Sequence, residues 1–268
     1  MRVSTEYLER LQGRIEIIAN NLANANTPAF KEGLLFIEEN YDVREKSNTI
    51  AQYGGVMPGV ENAEIPNRNM YVGRRIDFSQ GALSETGNPL DMAISGEGFF
   101  QIRTPDGQIG YTRAGLFSLD SIGNLVNNEG MLVQPQINIP SNAAKISVES
   151  DGTIRGVLLE ETEELQEDEE NEIIDFGRIS LFLFPNPNGL EQIGHNMYFP
   201  TEASGQAIGG TAGGEGYGEI KSGMLERSNA DLVNAMTQLI EAQRAYQFDL
   251  RITKDRDEMM QQAIMMRG

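Results

Sequence analysis

The chain has 268 residues, enough to bury at least one sizeable core and to hold two or three small modules. Its 40 acidic residues against 21 basic ones give a formal charge of -19, which argues against a surface that tracks nucleic-acid phosphates or an anionic membrane. Cysteine is absent, so a disulfide scaffold, a thiolate metal site and a cysteine nucleophile are excluded.

Near the start, Leu8, Leu11, Ile15, Ile18, Leu22 and Ala25 alternate steps of three and four. That heptad seam predicts an amphipathic helix over residues 4 to 26, roughly 35 Å long, within an N-terminal segment 1–28. Pro28 ends it, because proline cannot donate to the preceding turn and pushes Thr27 out of the α region. Asn20, Asn21, Asn24 and Asn26 crowd its last turns, where asparagine is a mediocre helix former that prefers caps and turns. Arg2, Glu6, Glu9, Arg10, Arg14 and Glu16 stand where a secretory peptide needs an uncharged core, and no apolar run approaches the length of a membrane span. A chain of this kind is expected to leave the cytoplasm, if it does so, by a route that reads no cleaved hydrophobic signal.

Residues 29–76 show no firm period and read as an extended connector broken at Gly54-Gly55, Pro58-Gly59 and Pro66. The texture then changes. Over 77–218 come short β-type runs, among them FFQI, GYTR, LFSL, NLVN, MLVQ, KISV and ISLFLF. Pro105-Asp106-Gly107, Gly123-Asn124, Glu129-Gly130 and Asp151-Gly152 punctuate them as turns, which predicts an antiparallel β-rich module. Within it, an acidic loop at 159–175 carries a run from Glu160 to Asp175 with no Lys or Arg, the pattern of a solvated loop. It lacks the Asp/Asn spacing and the glycine of a calcium loop.

The last segment, 219–268, mirrors the first. Ser228 and Asp231 fit a capping box, after which Leu232, Ala235, Leu239, Ala242 and Tyr246 repeat the three-and-four steps. The pattern continues less regularly through Leu250, Thr253, Met260 and Ile264. Residues 229 to 266 contain no Gly or Pro and predict a helix roughly 57 Å long. The fold class expected is therefore α+β: long N- and C-terminal helices that pair as a coiled coil, enclosing a central antiparallel β-rich module. The plainer alternative is that both stripes belong to an ordinary monomeric core.

Little in the chain suggests catalysis. GGTAGGEGYG (Gly209 to Gly218) lacks the G-K-[ST] ending of a phosphate loop and reads as a flexible loop. Gly96-Glu97-Gly98 lacks the third glycine of a dinucleotide fingerprint and reads as a tight turn before Phe99 and Phe100. His195 is the only histidine, which excludes a multi-histidine metal site or a histidine triad and leaves a surface or turn residue. Asp91 reads as a turn cap. No cofactor, metal or catalytic set is expected, although a carboxylate pair meeting in space remains open.

Three blocks in order support a resemblance. NNLANANTPAFK resembles the N-terminal signature of the flagellar basal-body rod and hook protein family. SQGALSETGNPLDMAISGEGFFQI followed by YTRAGLFSLDSIGNLVNNEGMLV is similar to that family's central module, and GMLERSNADLVNAMTQLIEAQRAYQ to its closing helix. Within the family, the wording of SQGALSETGNPLDMAI resembles a subunit of the distal rod, with a proximal rod or hook-type subunit as the alternative. The resemblance implies a structural subunit, not an enzyme, that self-assembles into a helical tube transmitting torque to the hook. Its implied partners are further copies of itself, other rod and hook proteins and the flagellar type III export apparatus, with no nucleic acid and no membrane span. Assembly is expected to use the seam residues of both helices, with Asn20, Asn21 and Asn24 fixing register between neighbours as a buried asparagine does in coiled coils. Fraying of the helix before Thr27-Pro28 is the plainer reading of those asparagines. A secreted cell-wall glycan hydrolase is the rival function from another class.

Overall fold

The computed structural model describes residues 2–42, 67–158 and 173–266. Helix α1 spans Arg2–Ala23 and helix α2 spans Leu232–Met265. Between them run strands β1 (Gly33–Asp42), β2 (Asn67–Ile76), β3 (Leu83–Glu85), β4 (Met92–Ser95), β5 (Phe99–Arg103) and β6 (Ile109–Thr112). They are followed by β7 (Phe117–Leu119), β8 (Leu125–Asn127), β9 (Leu132–Gln134), β10 (Ala143–Val148), β11 (Thr153–Leu158) and β12 (Ile173–Arg178). The last strands are β13 (Ser180–Leu183), β14 (Glu191–Gly194), β15 (Met197–Phe199), β16 (Ile208–Thr211), β17 (Glu219–Ser222) and β18 (Met224–Glu226). The chain divides into two units. One comprises Met1–Ile17, Gly33–Arg75 and Glu241–Gly268; the other comprises Ile18–Glu32 and Ile76–Ile240.

The first unit contains the β1–β2 pair, where Gly73 gives room to the ring of Phe36: a Cβ there would come within 2.4 Å of it. The second unit is built on a nine-stranded sheet ordered β14-β15-β6-β5-β9-β8-β7, with β13 joining β5 to β16. Its strand pairings are antiparallel, and the consecutive ones, β5–β6, β7–β8, β8–β9 and β14–β15, are joined by short loops, which can return a strand beside its predecessor only in that sense. The predicted turns make those returns. Gly107 N–H donates to Thr104 C=O between β5 and β6, Gly123 to Asp120 between β7 and β8, and Gly130 to Asn127 between β8 and β9, while Gly152 to Glu149 makes the β10–β11 return of a second sheet. A three-stranded sheet β10-β11-β12 and the pairs β4–β17 and β3–β18 complete the unit.

Two apolar clusters hold it. Met92, Ile94, Phe100, Ile102, Leu125, Val133, Ile154, Ile179 and Leu181 form the larger, all almost fully buried. Phe99, Tyr111, Phe184, Leu190 and Tyr198 form the smaller, in which Tyr111 and Phe184 meet edge-to-face at 4.8 Å. The glycine stretch read as a flexible loop is instead ordered: Gly209 and Gly210 lie in β16, and the Tyr217 ring sits where a Cβ on Gly210 would be. Tyr217 Oη donates to Ile208 C=O at 3.1 Å. Most of the acidic run, residues 159–172, lies outside the described residues; Asp175 is in β12, where its carboxylate accepts from Gly177 N–H.

The expected coiled coil of paired helices is not what the structure shows. It has one N-terminal helix of 22 residues and one C-terminal helix of 34, with a sheet-rich middle, so α+β holds but the long matched pairing does not. The seam positions of α2 explain why. Leu232, Leu250, Met260 and Ile264 are exposed, and so are Phe248, Ile252, Met259 and Met265 on other faces. In that half the charged residues Asp249, Arg251, Lys254, Asp255 and Arg256 interrupt the apolar positions, so no single stripe is left to bury.

The helix ends also differ from expectation in an instructive way. Helix α2 starts at Leu232 with Asp231 as its cap: Asp231 Oδ1 accepts from Val233 N–H at 2.8 Å and Asn234 N–H at 3.2 Å. Ser228 caps nothing helical and accepts from Ala230 N–H. Asn229, expected inside the helix, is held elsewhere by its side chain. Leu181, fully buried where β13 bridges β5 and β16, is expected to cost about 2–5 kcal/mol on replacement by alanine. Ile208→Ala, on an exposed side chain, is expected to stay within ~0.5 kcal/mol; urea unfolding of both variants checks the contrast.

Candidate functional site

The stretch after α1 turns back on itself. Asn24 Nδ2 donates to Asn20 C=O at 2.9 Å, Thr27 N–H to Asn24 C=O at 3.0 Å, and Thr27 Oγ donates to Asn24 Oδ1 at 3.3 Å. These bonds satisfy carbonyls that the end of a helix leaves open. Asn21 is 3% exposed, and its Nδ2 donates to Glu32 Oε1 at 3.4 Å. Asn20 and Asn26 remain exposed. Two of the asparagines expected to set register between subunits are thus already engaged within one chain, and neither reading of the block is complete: the helix end is hydrogen-bonded rather than frayed.

Beyond the turn, residues 29–32 thread between the C-terminal segment 226–229 and the loop at 77–79. Ala29 adopts φ +56°, unusual for a residue with a Cβ, and directs its N–H to Glu226 C=O at 2.7 Å. Asn229 N–H donates to Phe30 C=O at 3.3 Å, Asn229 Oδ1 accepts from Glu32 N–H at 2.7 Å, and Asn229 Nδ2 donates to Asp77 C=O at 2.9 Å. Asp77 N–H closes the circuit on Glu32 C=O at 2.8 Å.

At the centre of this weave lies a buried ionic clasp. Glu226 Oε1 accepts from Lys31 Nζ at 2.7 Å and from Gly81 N–H at 2.9 Å, while Oε2 accepts from Arg113 Nε at 3.1 Å. The Lys31 and Glu226 side chains are wholly buried and that of Arg113 nearly so. Lys31 Nζ also donates to Ser79 C=O at 2.7 Å, and Arg113 Nη1 to Gly96 and Gly98 C=O at 2.9 and 2.6 Å. Glycine is required at 81, because a Cβ there would come within 2.0 Å of Arg227 C=O and push the backbone off Glu226. The Gly96-Glu97-Gly98 turn, with φ of +114° and +138° at its glycines, aims two carbonyls at the same guanidinium. Burial pushes the Lys31 ammonium below its ordinary range, and the Glu226 carboxylate opposes that shift. Glu32 is shifted the other way: burial, then the charges of Asp77 and Asp231, raise its carboxyl.

Of the expected assembly residues, Leu11, Ile18, Asn21, Ala235 and Ala242 are buried, and Leu8, Ile15, Leu22, Asn24, Leu239 and Tyr246 are half-buried. Asn20 and Leu232 are exposed. His195 is a turn residue at φ +51° whose Nδ1 meets Glu129 Oε1 at 2.6 Å, and Asp91 Oδ1 accepts from Asn88 Nδ2 in a turn, as read from the sequence. Lys31, Arg113, Glu226 and Asn229 were missed as site residues. The available signal was that each resemblance block carried one such charge, in TPAFK, YTRAG and MLERSN.

The same three-part arrangement appears on comparison with known proteins. Residues 1–31 match the model described as flagella basal body rod protein, residues 93–156 the flagellar hook protein FlgE/F/G D1 domain, and residues 221–266 the flagellar basal body rod FlgEFG protein C-terminal. The flagellar basal-body rod protein FlgG of Bacillus subtilis is 36% identical over 96% of this chain and 94% of its own length. The chain belongs to the FlgG-like family of flagellar basal-body rod proteins. The FlgG proteins of Caulobacter vibrioides and Buchnera aphidicola from Acyrthosiphon pisum are each 35% identical, over 100% and 97% of this chain and 99% and 96% of theirs. The FlgF rod protein of Caulobacter vibrioides stands further off, at 29% over 95% of this chain and 91% of its own length. The family is structural, and this chain is a rod subunit of the flagellar basal body. Its three matched stretches contribute one clasp charge each: Lys31, Arg113 and Glu226.

Glu226→Ala strands two buried cations and is expected to destabilise the chain by about 3–5 kcal/mol, read by urea unfolding. Glu32 gives a pH test of opposite sense. Its raised carboxyl favours the protonated folded form, so its contribution is present below the ordinary value of 4.5 and is lost as pH rises through the higher folded value. Glu32→Gln is therefore expected to raise the Tm at neutral pH and to leave it unchanged in acid; thermal melts across that range check the sign.

Proposed function

We propose that this rod subunit polymerises through its terminal segments, 1–28 and 219–268, into the helical tube of the distal rod and passes torque to the hook. The observation that carries this is the near full-length similarity to rod proteins, FlgG above all. The half-buried seam residues Ile15, Leu22, Leu239 and Tyr246 support the terminal route, since a second copy can finish burying them, as does the exposed apolar surface of α2. Asn20, whose side chain is exposed, is the block's best remaining candidate for a register contact between copies. The subunit reaches the rod through the flagellar export apparatus without a cleaved signal, contacts other rod and hook proteins there, and catalyses nothing.

Electron microscopy of basal bodies from a strain lacking the chain is expected to show rods that stop short of the hook, restored by the wild-type chain; complete rods in its absence would contradict the proposal. Leu22→Asp and Leu239→Asp each put a carboxylate into the proposed helix layer. Both are expected to give soluble subunits whose β-core melts near the wild-type temperature, in cells that build no complete rod and do not swim. Normal motility at normal protein level would oppose the terminal-helix route.

A further inference from the structure

Helix α2 ends in a concentration of thioethers. Met259, Met260, Met265 and Met266 are 66, 52, 80 and 85% exposed. Met92 and Met197 are instead buried in the β-rich unit, at 0 and 7% exposure. Helical hydrogen bonding continues to the end of the group, since Met266 N–H donates to Gln262 C=O at 3.0 Å. Successive residues advance about 100° around a helix axis, which spreads the four sulfurs round α2 instead of lining them on one face. Met259 and Met266 stand in line with Ile252, Met260 stands with Ile264 on the seam, and Met265 stands on a third side.

Methionine oxidation follows access to the sulfur. The chain has no cysteine and no tryptophan, so no thiol or indole competes for an oxidant. A hydroperoxide reaches the four sulfurs of α2 without any opening of the fold, whereas it reaches Met92 only when the β-rich unit opens. With hydrogen peroxide, a sulfur lone pair attacks one oxygen and an S–O bond forms as the O–O bond breaks. The proton on the transferred oxygen passes to the departing one. Sulfur is oxidised by two electrons to the sulfoxide, and the peroxide is reduced to water. A flexible apolar side chain that adapts to the surface it packs on becomes a polar one with an acceptor oxygen.

We propose that Met259, Met260, Met265 and Met266 form an oxidation site for hydroperoxides, and that their conversion to sulfoxides bars the subunit from the polymer. This inference rests on the terminal-segment reading, in which another copy covers α2. Because the sulfurs surround the helix, a neighbour packed on its last turns encloses at least one sulfoxide oxygen and strips it of water. Unmodified methionine carries no such penalty. Reductases return the sulfoxide to the thioether, so the block is a reversible switch.

Purified full-length chain is treated with hydrogen peroxide, oxygen uptake is mapped by peptide mass spectrometry, and polymer is measured by sedimentation. The four methionines are expected to be oxidised at least tenfold faster than Met92 and Met197, and polymer to fall at least tenfold. A variant combining Met259→Leu, Met260→Leu, Met265→Leu and Met266→Leu, of nearly conserved volume and keeping the exposed Met236, is expected to polymerise equally with and without peroxide. Both stereospecific methionine sulfoxide reductases with a thiol reductant are expected to restore polymer from the oxidised wild-type chain, which gives the same answer without a variant. Oxidation of the four no faster than of the buried pair, undiminished polymer from oxidised chain, or a loss that the reductases do not reverse and the leucine variant shares overturns the proposal. Untreated wild-type chain that forms no polymer would overturn the terminal-segment reading instead, and the oxidation rates, read on the monomer, keep the two failures distinguishable.

Discussion

Glu226 is a carboxylate removed from water, and such a group tolerates few arrangements around it. Both of its oxygens are filled, by Lys31 from 195 residues away, by Arg113 from 113 residues away and by the Gly81 amide. Ion pairs of this kind contribute little net stability over an apolar replacement, because desolvation offsets most of the attraction. What they do strongly is penalise every alternative: moving any one of the three stretches leaves an unmatched charge in a dry interior. The clasp therefore acts on geometry more than on stability. It fixes where the segment leaving α1 meets the segment entering α2.

That meeting point sets the local geometry of both helix ends. Because Asn229 is spent on Glu32, Asp77 and Ser79, α2 cannot begin until Leu232, where Asp231 is free to cap it. Because Ala29 must present its N–H to Glu226, the chain has to leave α1 through the hydrogen-bonded asparagine turn and a left-handed residue. If the subunit polymerises through its terminal segments as proposed, an error at either end would be repeated in every copy. A β-rich unit that locks the helix ends from within is a physical means of limiting it.

Much of the β-rich middle was legible in the sequence, since its turns are written in Gly, Asn and Asp at positions whose conformation few other residues adopt, and its strands in alternating apolar runs. Pro28 marked the end of the first helix region, although α1 stops at Ala23, short of the expected residue 26. The coiled coil was misjudged because periodicity identifies a stripe but not what covers it, and the second half of α2 carries charges that break the stripe. The clasp was illegible for a different reason. Lys31, Arg113 and Glu226 are ordinary surface residues by type, and only a fold that joins three distant stretches makes them interior. The left-handed Ala29 and the early end of α1 follow from that same long-range demand, which local propensity cannot express.

The weave of residues 29–32, 77–81 and 226–229 belongs to the core rather than to a surface seam. Native-state hydrogen exchange tests this most directly, at the amides of Ala29, Gly81, Arg227 and Asn229, whose acceptors are Glu226 C=O, Glu226 Oε1, Ala82 C=O and Phe30 C=O. If the clasp governs the structure, these amides open only with global unfolding and match the protection of Ile102 and Leu181 in the central sheet. Exchange orders of magnitude faster than the sheet, at a rate insensitive to global stability, would show that the ends of the chain come together without the clasp and would contradict the account.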